Sequence, residues 1–209
     1  MTARNDIPTL AAPGLSLAGL CAGFSDTGLQ SQQVFRRVLA ALSEPGTLHD
    51  LPEGNAPDGL HIASYQVCLA LLDAETPLWI EPSLKTQAIV NALRFHCGCP
   101  VVNTPEQAEF ALVTPDFEGD LACFALGSHE YPDRSTTLIV QVDNLDEAGQ
   151  WTLSGPGISD RRSVGVTGLN ARWSDMITDN RALFPCGVDL LFTAGPRLMG
   201  LPRTTKVEV

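Results

Sequence analysis

Hydrophobic positions between residues 31 and 43 recur with the spacing of one helical face. Large apolar side chains stand at i, i+1, i+4, i+5 and i+8, namely Val34, Phe35, Val38, Leu39 and Leu42. Ser31 is the predicted N-cap, and Pro45-Gly46 ends the helix and turns the chain. The pattern therefore predicts an amphipathic helix over 31–43.

Three further segments have helical character. Residues 62–72 are apolar on nearly every side, which predicts a deeply buried helix. Residues 84–95, with Ser83 as the predicted N-cap, carry an apolar face at Ile89, Val90 and Leu93. A fourth helix is predicted over 169–183.

Short apolar runs predict the strands, at 78–80, 100–102, 110–113, 136–142, 151–154, 188–194, 198–201 and 204–209. The run 136–142 is rich in β-branched residues and is expected at the centre of the sheet. Helices alternate with strands in the first half, and strands dominate the second. We therefore expect a single α/β domain with a mixed central sheet flanked by helices.

Composition excludes several classes of protein. Of 209 residues, 44% are hydrophobic and 18% charged, which is unlike a disordered chain. No apolar run is long enough to span a membrane. The net charge of −11 argues against nucleic acid or an anionic membrane as partner. The six cysteines lie scattered in mostly apolar segments, which indicates reduced thiols and a cytoplasmic location.

The first 30 residues differ from the rest. Arg4 precedes a soft apolar stretch that resembles a signal peptide, but Pro13, Gly14 and Gly19 interrupt it, and Asp6 lies in its basic region. We expect residues 1–30 to form a loosely packed N-terminal arm, and residues 31–209 to form the domain.

Three motifs could carry chemistry. The run His96-Cys97-Gly98-Cys99 offers metal ligands, but no second ligand pair exists at zinc spacing, so a helix end with space-filling thiols is the simpler interpretation. The glycines of 155–157 and 165–168, with Arg161 and Arg162 nearby, could cradle phosphate, although a hairpin turn explains the first set. Residues 128–130 (Ser-His-Glu) are interpreted as a solvated loop rather than a catalytic arrangement.

Lysine is scarce, since only Lys85 and Lys206 occur. Neither position is typical of a buried Schiff-base anchor for pyridoxal phosphate. The segment 201–206, by contrast, places two cations and two hydroxyls beside an apolar strand and could contact phosphonate oxygens, or could simply be a polar strand end.

Six segments in order resemble the PhnH family, a subunit family of bacterial carbon–phosphorus lyase. They are FRRVLAALSEPG at 35–46, LRFH at 93–96, LIVQV at 138–142, LSGPGI at 153–158, FPCGVDL at 184–190 and LPRTTKVEV at 201–209. The resemblance covers the chain from about residue 30 onward.

This resemblance implies a reduced version of the fold type I pyridoxal-phosphate transferase domain that has no cofactor and no metal. It implies a homodimer that joins the G, I and J subunits. That complex converts alkylphosphonate and ATP to ribose 1-phosphonate 5-triphosphate with loss of adenine. The nucleosidase-type step is credited to the I subunit, with G, H and L required, so a non-catalytic, accessory role is expected for this chain.

The alternative is a small-molecule site of its own, for a phosphonate or nucleotide, at the homodimer interface. Its candidate ligand or interface residues are Arg36, Arg37, Arg203 and Thr204, because guanidinium groups suit phosphonate oxygens. No residue is assigned a catalytic, cofactor-binding or metal-binding role.

Overall fold

The computed structural model describes residues 20–209, which hold four α-helices and ten β-strands. The helices are α1 (Thr27–Ser43), α2 (Ile62–Leu71), α3 (Gln87–His96) and α4 (Arg172–Ala182). The strands are β1 (Leu48–Asp50), β2 (Leu78–Ile80), β3 (Val101–Val102), β4 (Phe110–Val113), β5 (Thr137–Gln141), β6 (Asn144–Ser154), β7 (Arg162–Thr167), β8 (Asp189–Ala194), β9 (Arg197–Leu201) and β10 (Lys206–Glu208). Within these residues no helix has the length and apolar character needed to cross a membrane.

Seven strands form one mixed sheet in the order β1-β9-β8-β5-β4-β2-β3. The strands β3, β2, β4, β5 and β8 run parallel, whereas β9 and β1 are antiparallel to their neighbours. A separate three-stranded antiparallel sheet has the order β10-β6-β7. The prediction of a single α/β domain with a mixed sheet is confirmed, and β5 lies at its centre as expected.

Alternate side chains of the central strands divide the core into two layers. On β5, Leu138 and Val140 pack toward the three-stranded sheet and α4, whereas Ile139 packs toward α1, α2 and α3. Both faces of the strand are therefore buried, which explains its continuous apolar sequence. Each fully buried aliphatic side chain stabilises the fold by about 1.5–3 kcal/mol.

Helix α1 lies directly on β9 at Gly200. A Cβ atom at Gly200 would stand only 2.4 Å from the carbonyl oxygen of Ala41. The side of α1 facing the sheet consists of Val34, Val38 and Ala41, which are all buried. The missing side chain at Gly200 thus lets the helix approach the strand closely and fixes which face of α1 remains outside.

The first helix begins earlier than predicted. It starts at Thr27 because Asp26, not Ser31, is the N-cap, and Asp26 Oδ1 accepts a hydrogen bond of 3.0 Å from the Leu29 backbone N–H. Four residues of the predicted arm, 27–30, consequently belong to α1. Residues 1–19 of that arm lie outside the described residues.

The third helix begins later than predicted. It starts at Gln87, and Thr86 is its N-cap, with Thr86 Oγ1 accepting from the Ile89 backbone N–H at 3.3 Å. The predicted cap, Ser83, instead lies in a turn that follows β2, where the Leu84 N–H donates to the Glu81 carbonyl at 2.9 Å. Pro82 opens this turn and favours it over an immediate helix.

The sequence predicts only part of the small sheet. The predicted strands at 151–154 and 204–209 correspond to the end of β6 and to β10, but β6 begins at Asn144, and no strand is predicted at β7, where the glycines of 165–168 are a candidate phosphate cradle. Most residues in the first half of β6 are exposed, so no apolar alternation marks them. Gly149 and Gly165 let the two strands approach closely, because a Cβ at Gly149 would stand 2.3 Å from the Gly165 Cα.

We predict that Gly200→Ala destabilises the protein by about 2 kcal/mol or more, because the added methyl must push α1 away from β9. Urea unfolding followed by circular dichroism measures the change. Gly28→Ala is the matched control, since its Cβ would meet nothing closer than 3.8 Å. We expect that control to lie between no effect and a gain of about 1 kcal/mol. Equal stability of the two variants would contradict the packing account.

Candidate functional site

A cleft beside α1 contains two of the predicted ligand residues. It has a volume of about 480 Å³ and is lined by Gln33, Arg36, Arg37, Ala40, Asp50, Leu51 and Pro52. We call it the arginine cleft. It lies between the outer part of α1 and the segment containing β1, so the packing of α1 on β9 positions both guanidinium groups.

Both arginines of this cleft are exposed. Within residues 20–209, neither has a carboxylate at ion-pair distance or a hydrogen-bonded partner. The pKa of nearby His49 is lowered first by burial and then by the positive charge of Arg37. The arginine cleft therefore presents two guanidinium groups that form no ion pair within residues 20–209, and one carboxylate, Asp50, which pairs with Arg197 at 3.5 Å. Guanidinium groups suit phosphate, phosphonate or carboxylate oxygens.

Arg203 has a different role. Its Nε and Nη2 donate to the two carboxylate oxygens of Asp189 at 3.1 and 2.6 Å, and its side chain is only 11% exposed. Nη1 donates to the carbonyls of Pro132 and Pro185 at 2.8 and 3.4 Å, and Nη2 also donates to Ser135 Oγ at 2.5 Å. All its N–H groups are directed at protein acceptors. Arg203 therefore holds its own loop to the loop of Pro132 and Ser135 and to the loop of Pro185, and we call this arrangement the Arg203 clamp.

Thr204 follows this clamp on the surface and does not meet the arginine cleft. It lines two other clefts, one with Pro156 and Arg181 and one with Pro132 and Pro202. The four predicted residues are therefore divided, with Arg36 and Arg37 in one cleft and Arg203 and Thr204 elsewhere. No cleft described in residues 20–209 is lined by members of both pairs.

The His-Cys-Gly-Cys motif lies at the end of α3. His96 Nε2 donates to the Cys21 carbonyl at 2.9 Å, and Cys97 Sγ donates to the Cys68 carbonyl at 3.6 Å. Burial raises the pKa of the Cys68 thiol, and a hydrogen bond with Cys99 followed by burial raises that of Cys97. All six cysteines are unpaired. In the described part of the chain, no three His, Cys, Asp or Glu side chains are grouped as a metal site.

The glycine motifs and their arginines are built into the fold. Gly155 and Gly157 form the turn between β6 and β7, and a Cβ at Gly157 would stand 2.1 Å from the Ser43 carbonyl oxygen. Arg162 Nη1 donates to the Pro45 carbonyl at 2.5 Å and so ties β7 to the end of α1. Arg161 pairs with the Glu208 carboxylate at 3.2 Å.

The remaining motifs lie in a strand, in an exposed loop and at exposed positions. The Gly165–Gly168 stretch lies in β7 and its end, and the Ser-His-Glu run at 128–130 is an exposed loop, as predicted. Lys85 and Lys206 are both exposed. Lys85 lies in the turn before α3, and Lys206 in β10, where it pairs with Glu208.

Sequence reasoning missed a buried polar network at the carboxyl ends of β5 and β8. Gln141 Oε1 accepts from the His61 backbone N–H at 2.6 Å and from Ser64 Oγ at 3.1 Å, and Ser64 Oγ lies 2.7 Å from Thr193 Oγ1. Gln141 Nε2 donates to the Gly59 carbonyl at 3.0 Å. Ligands of open α/β sheets commonly bind at this edge, but here these groups are occupied by one another. A polar residue at the end of a buried apolar run, as at Gln141, was the available signal.

The similarity to known proteins extends over nearly all of the residues that the structure describes. The family model described as bacterial phosphonate metabolism protein (PhnH) matches residues 22–208. Over 192 residues the chain is 39% identical to alpha-D-ribose 1-methylphosphonate 5-triphosphate synthase subunit PhnH of Rhizobium meliloti (strain 1021), covering 88% of this chain and 94% of that protein. It is also 30% identical over 183 residues to HtxG of Stutzerimonas stutzeri, provisionally named a C-P lyase subunit protein, covering 86% and 87% of the two chains.

We predict that Arg203→Met destabilises the fold by about 2–4 kcal/mol, because the partly buried Asp189 carboxylate and two loop carbonyls lose their donors. Thermal unfolding monitored by circular dichroism gives the change. Arg36→Met is the matched control, and it should alter stability by no more than about 0.5 kcal/mol because its guanidinium is exposed and unpaired. A fully stable Arg203→Met variant would show that the clamp is dispensable.

Proposed function

Because the chain belongs to the PhnH family of bacterial phosphonate metabolism proteins, we propose that it is a non-catalytic subunit of a carbon–phosphorus lyase complex in alkylphosphonate catabolism. The observation that carries this proposal is the 39% identity to a named synthase subunit over 88% of the chain. The complex would form alpha-D-ribose 1-methylphosphonate 5-triphosphate from ATP and methylphosphonate. This chain would act there as a homodimer together with G, I and J subunits, in the cytoplasm.

The distribution of reactive groups supports an accessory role. Arg203, Arg162 and Arg161 bind carbonyl or carboxylate groups of the protein itself. The buried network around Gln141 consists of neutral side chains already hydrogen-bonded to one another. These polar groups are therefore bound within the domain, and the groups available to other molecules lie on its surface. The likeness to a reduced pyridoxal-phosphate transferase domain stays a prediction.

The outer face of α1 is the surface we propose for a sister subunit. Phe35 and Leu39 are 45% and 51% exposed although α1 already buries a separate apolar face in the core. Arg36 and Arg37 line the arginine cleft farther round the exposed side of α1, since they follow Phe35 by one and two residues and successive helical residues point about 100° apart. Within residues 20–209 neither cation belongs to an ion pair. The outer side of α1 therefore suits a partner that supplies apolar side chains for Phe35 and Leu39 and carboxylates for the cleft.

The second candidate function is an anion-binding site in the arginine cleft. Its support is that Arg36 and Arg37, which form no ion pair within the described residues, line a cleft of about 480 Å³. That volume is large enough for a phosphonate or part of a nucleotide. In this form the site consists of Arg36 and Arg37, without the clamped Arg203. Thr204 would take part only if a second copy brought it to the cleft.

We predict that the unmutated chain, expressed with tagged I subunit together with G and J, co-purifies with them. Arg36→Glu/Arg37→Glu should reduce the recovered amount at least about tenfold, because both cations at the contact are reversed. Lys85→Glu/Arg94→Glu is the matched control, with the same charge change at two exposed positions outside the α1 face. Full activity of a complex assembled without this chain would contradict the accessory role.

Calorimetry of the isolated protein separates the second candidate from the first. If the arginine cleft is a ligand site, methylphosphonate or ATP binds, and Arg37→Ala weakens that binding about tenfold or more. Absence of heat with the unmutated protein at millimolar ligand would eliminate a site within this chain alone. The accessory role would be unaffected by that outcome.

A further inference from the structure

Two thiols flank the turn that ends α3. Cys97 is the C-cap residue of α3, with helical backbone angles, and Gly98 follows it in a left-handed conformation with a φ of 70°. Cα atoms two residues apart are separated by at most roughly 7 Å, and a turn shortens that separation. Disulfide bonds join Cα atoms about 4.4–6.8 Å apart. The backbone therefore holds Cys97 and Cys99 at a separation that a disulfide can bridge without moving another element.

The sulfur atoms of the two cysteines are directed at each other. The Cys97 thiol donates a hydrogen bond to the Cys99 sulfur, and this bond is the main reason that the pKa of Cys97 is raised and that of Cys99 is lowered. Burial opposes the shift of the Cys99 pKa, whereas the positive charge of Arg94 in the last turn of α3 adds to it. Cys99 is thus the thiol of the pair that loses its proton first, and Cys97 stays protonated beside it.

The surroundings of the turn favour a small reagent. Cys97 is half-buried and Gly98 is exposed, whereas Cys99 is only 1% exposed. A Cβ atom at Gly98 would meet nothing nearer than the Ala74 Cβ at 3.9 Å, so the outside of the turn is open. An oxidant of nearly the size of water, such as hydrogen peroxide, suits this geometry better than a peptide or protein disulfide.

From this arrangement we propose that Cys97-Gly98-Cys99 is a site of reversible oxidation by hydrogen peroxide, at which the two thiols become a disulfide. The Cys99 thiolate attacks one peroxide oxygen and becomes a sulfenic acid, while the O–O bond breaks and the other oxygen leaves as water with the proton that Cys99 released. The Cys97 sulfur then attacks the Cys99 sulfur and displaces its oxygen as a second water, which takes up the Cys97 proton. The thiol pair loses two electrons, and one peroxide is reduced to two waters.

The thiol pair is separate from the arginine cleft. It lies at the end of α3, and neither cysteine lines that cleft. Oxidation would turn the Cys97 sulfur away from the Cys68 carbonyl oxygen, which lies 3.6 Å from it in the reduced protein. The inference goes beyond the proposed function and does not rest on it.

Peroxide treatment of the reduced full-length chain, followed by alkylation and fragment mass spectrometry, tests the inference. We expect the fragment that contains Cys97 and Cys99 to lose two hydrogen atoms at least about tenfold faster than Cys123 is oxidised, because peroxide reacts with thiolates rather than thiols. Dithiothreitol should restore both thiols. Absence of this product, or a disulfide between Cys99 and Cys68 in its place, overturns the inference.

Two variants separate the roles of the two thiols. In Cys97→Ser we expect no disulfide and a Cys99 sulfenic acid that reacts with dimedone, because serine keeps a hydrogen-bond donor beside Cys99 but supplies no second sulfur. In Cys99→Ala, which keeps a small apolar side chain at the buried position, neither product should form at the turn. A Cys97→Ser protein without the dimedone adduct at Cys99 overturns the assignment of Cys99 as the thiol that peroxide attacks.

Cys123→Ser is the matched control. Cys123 is half-buried like Cys97, but it packs on the opposite face of the seven-stranded sheet. We expect this variant to form the Cys97–Cys99 disulfide at the rate of the unmutated protein. Loss of the disulfide in Cys123→Ser would show that the pair at the turn is insufficient and overturn the inference.

Discussion

The seven-stranded sheet has to be covered on both faces, and most of the remaining architecture follows from this requirement. Its central strands carry apolar side chains on both sides, such as Leu191 toward the helices and Phe192 toward the small sheet. Three helices cover one face, while the three-stranded sheet with α4 covers the other. Exposing either face would cost about 25 cal/mol for each square ångström of apolar surface. The layers therefore form one cooperative unit, and surface features take their positions from it.

The two ends of the described chain complete this packing in different ways. Helix α1 reaches the sheet through the glycine of β9, which places its outer face in solvent. The segment after β9 instead brings Arg203 against Asp189 at the start of β8, and the guanidinium holds the loops containing Pro132 and Pro185. A partly buried ion pair with satisfied donors fixes geometry more than it adds stability. The loop that presents Phe184 depends on this clamp.

The sequence predicted the parts of the fold that apolar periodicity controls. The helix at 62–72 and the strand at 136–142 agree with the structure within one residue at each end. The helix starts were predicted less well. Asp26 and Ser31 are both suitable N-cap residues for α1, as are Ser83 and Thr86 for α3, and residue type alone does not show at which of them the helical backbone begins. Strand β7 was missed because Gly165 has a packing role that a local pattern does not reveal.

The same limit applies to the candidate site, where residue types could be predicted but their tertiary contacts could not. The sequence identified Arg36, Arg37 and Arg203 as cations of interest but could not tell a free guanidinium from a clamped one, because the acceptors of Arg203 lie as many as 71 residues away. Similarly, Phe184 was noticed only as part of a motif. Its exposure is a property of the loop geometry, which depends on Asn180 and Arg203.

The contacts of the basic residues indicate which parts of the surface are available to other molecules. The chain has only 13 lysines and arginines against 24 acidic residues, and Arg4 lies outside the described part. Seven of the others bind carbonyls, carboxylates or an aromatic ring of the protein, at positions 134, 161, 162, 172, 197, 203 and 206. Among residues 20–209, the cations without such partners are Arg36, Arg37, Lys85, Arg94 and Arg181. Because acidic residues are abundant, a cation could readily be neutralised within the chain. Among the described residues, free arginines occur near exposed apolar side chains at three places: Arg36 and Arg37 on α1, Arg94 before Phe95 on α3, and Arg181 near Phe184. These are therefore the surfaces that the chain leaves open to contacts with other molecules.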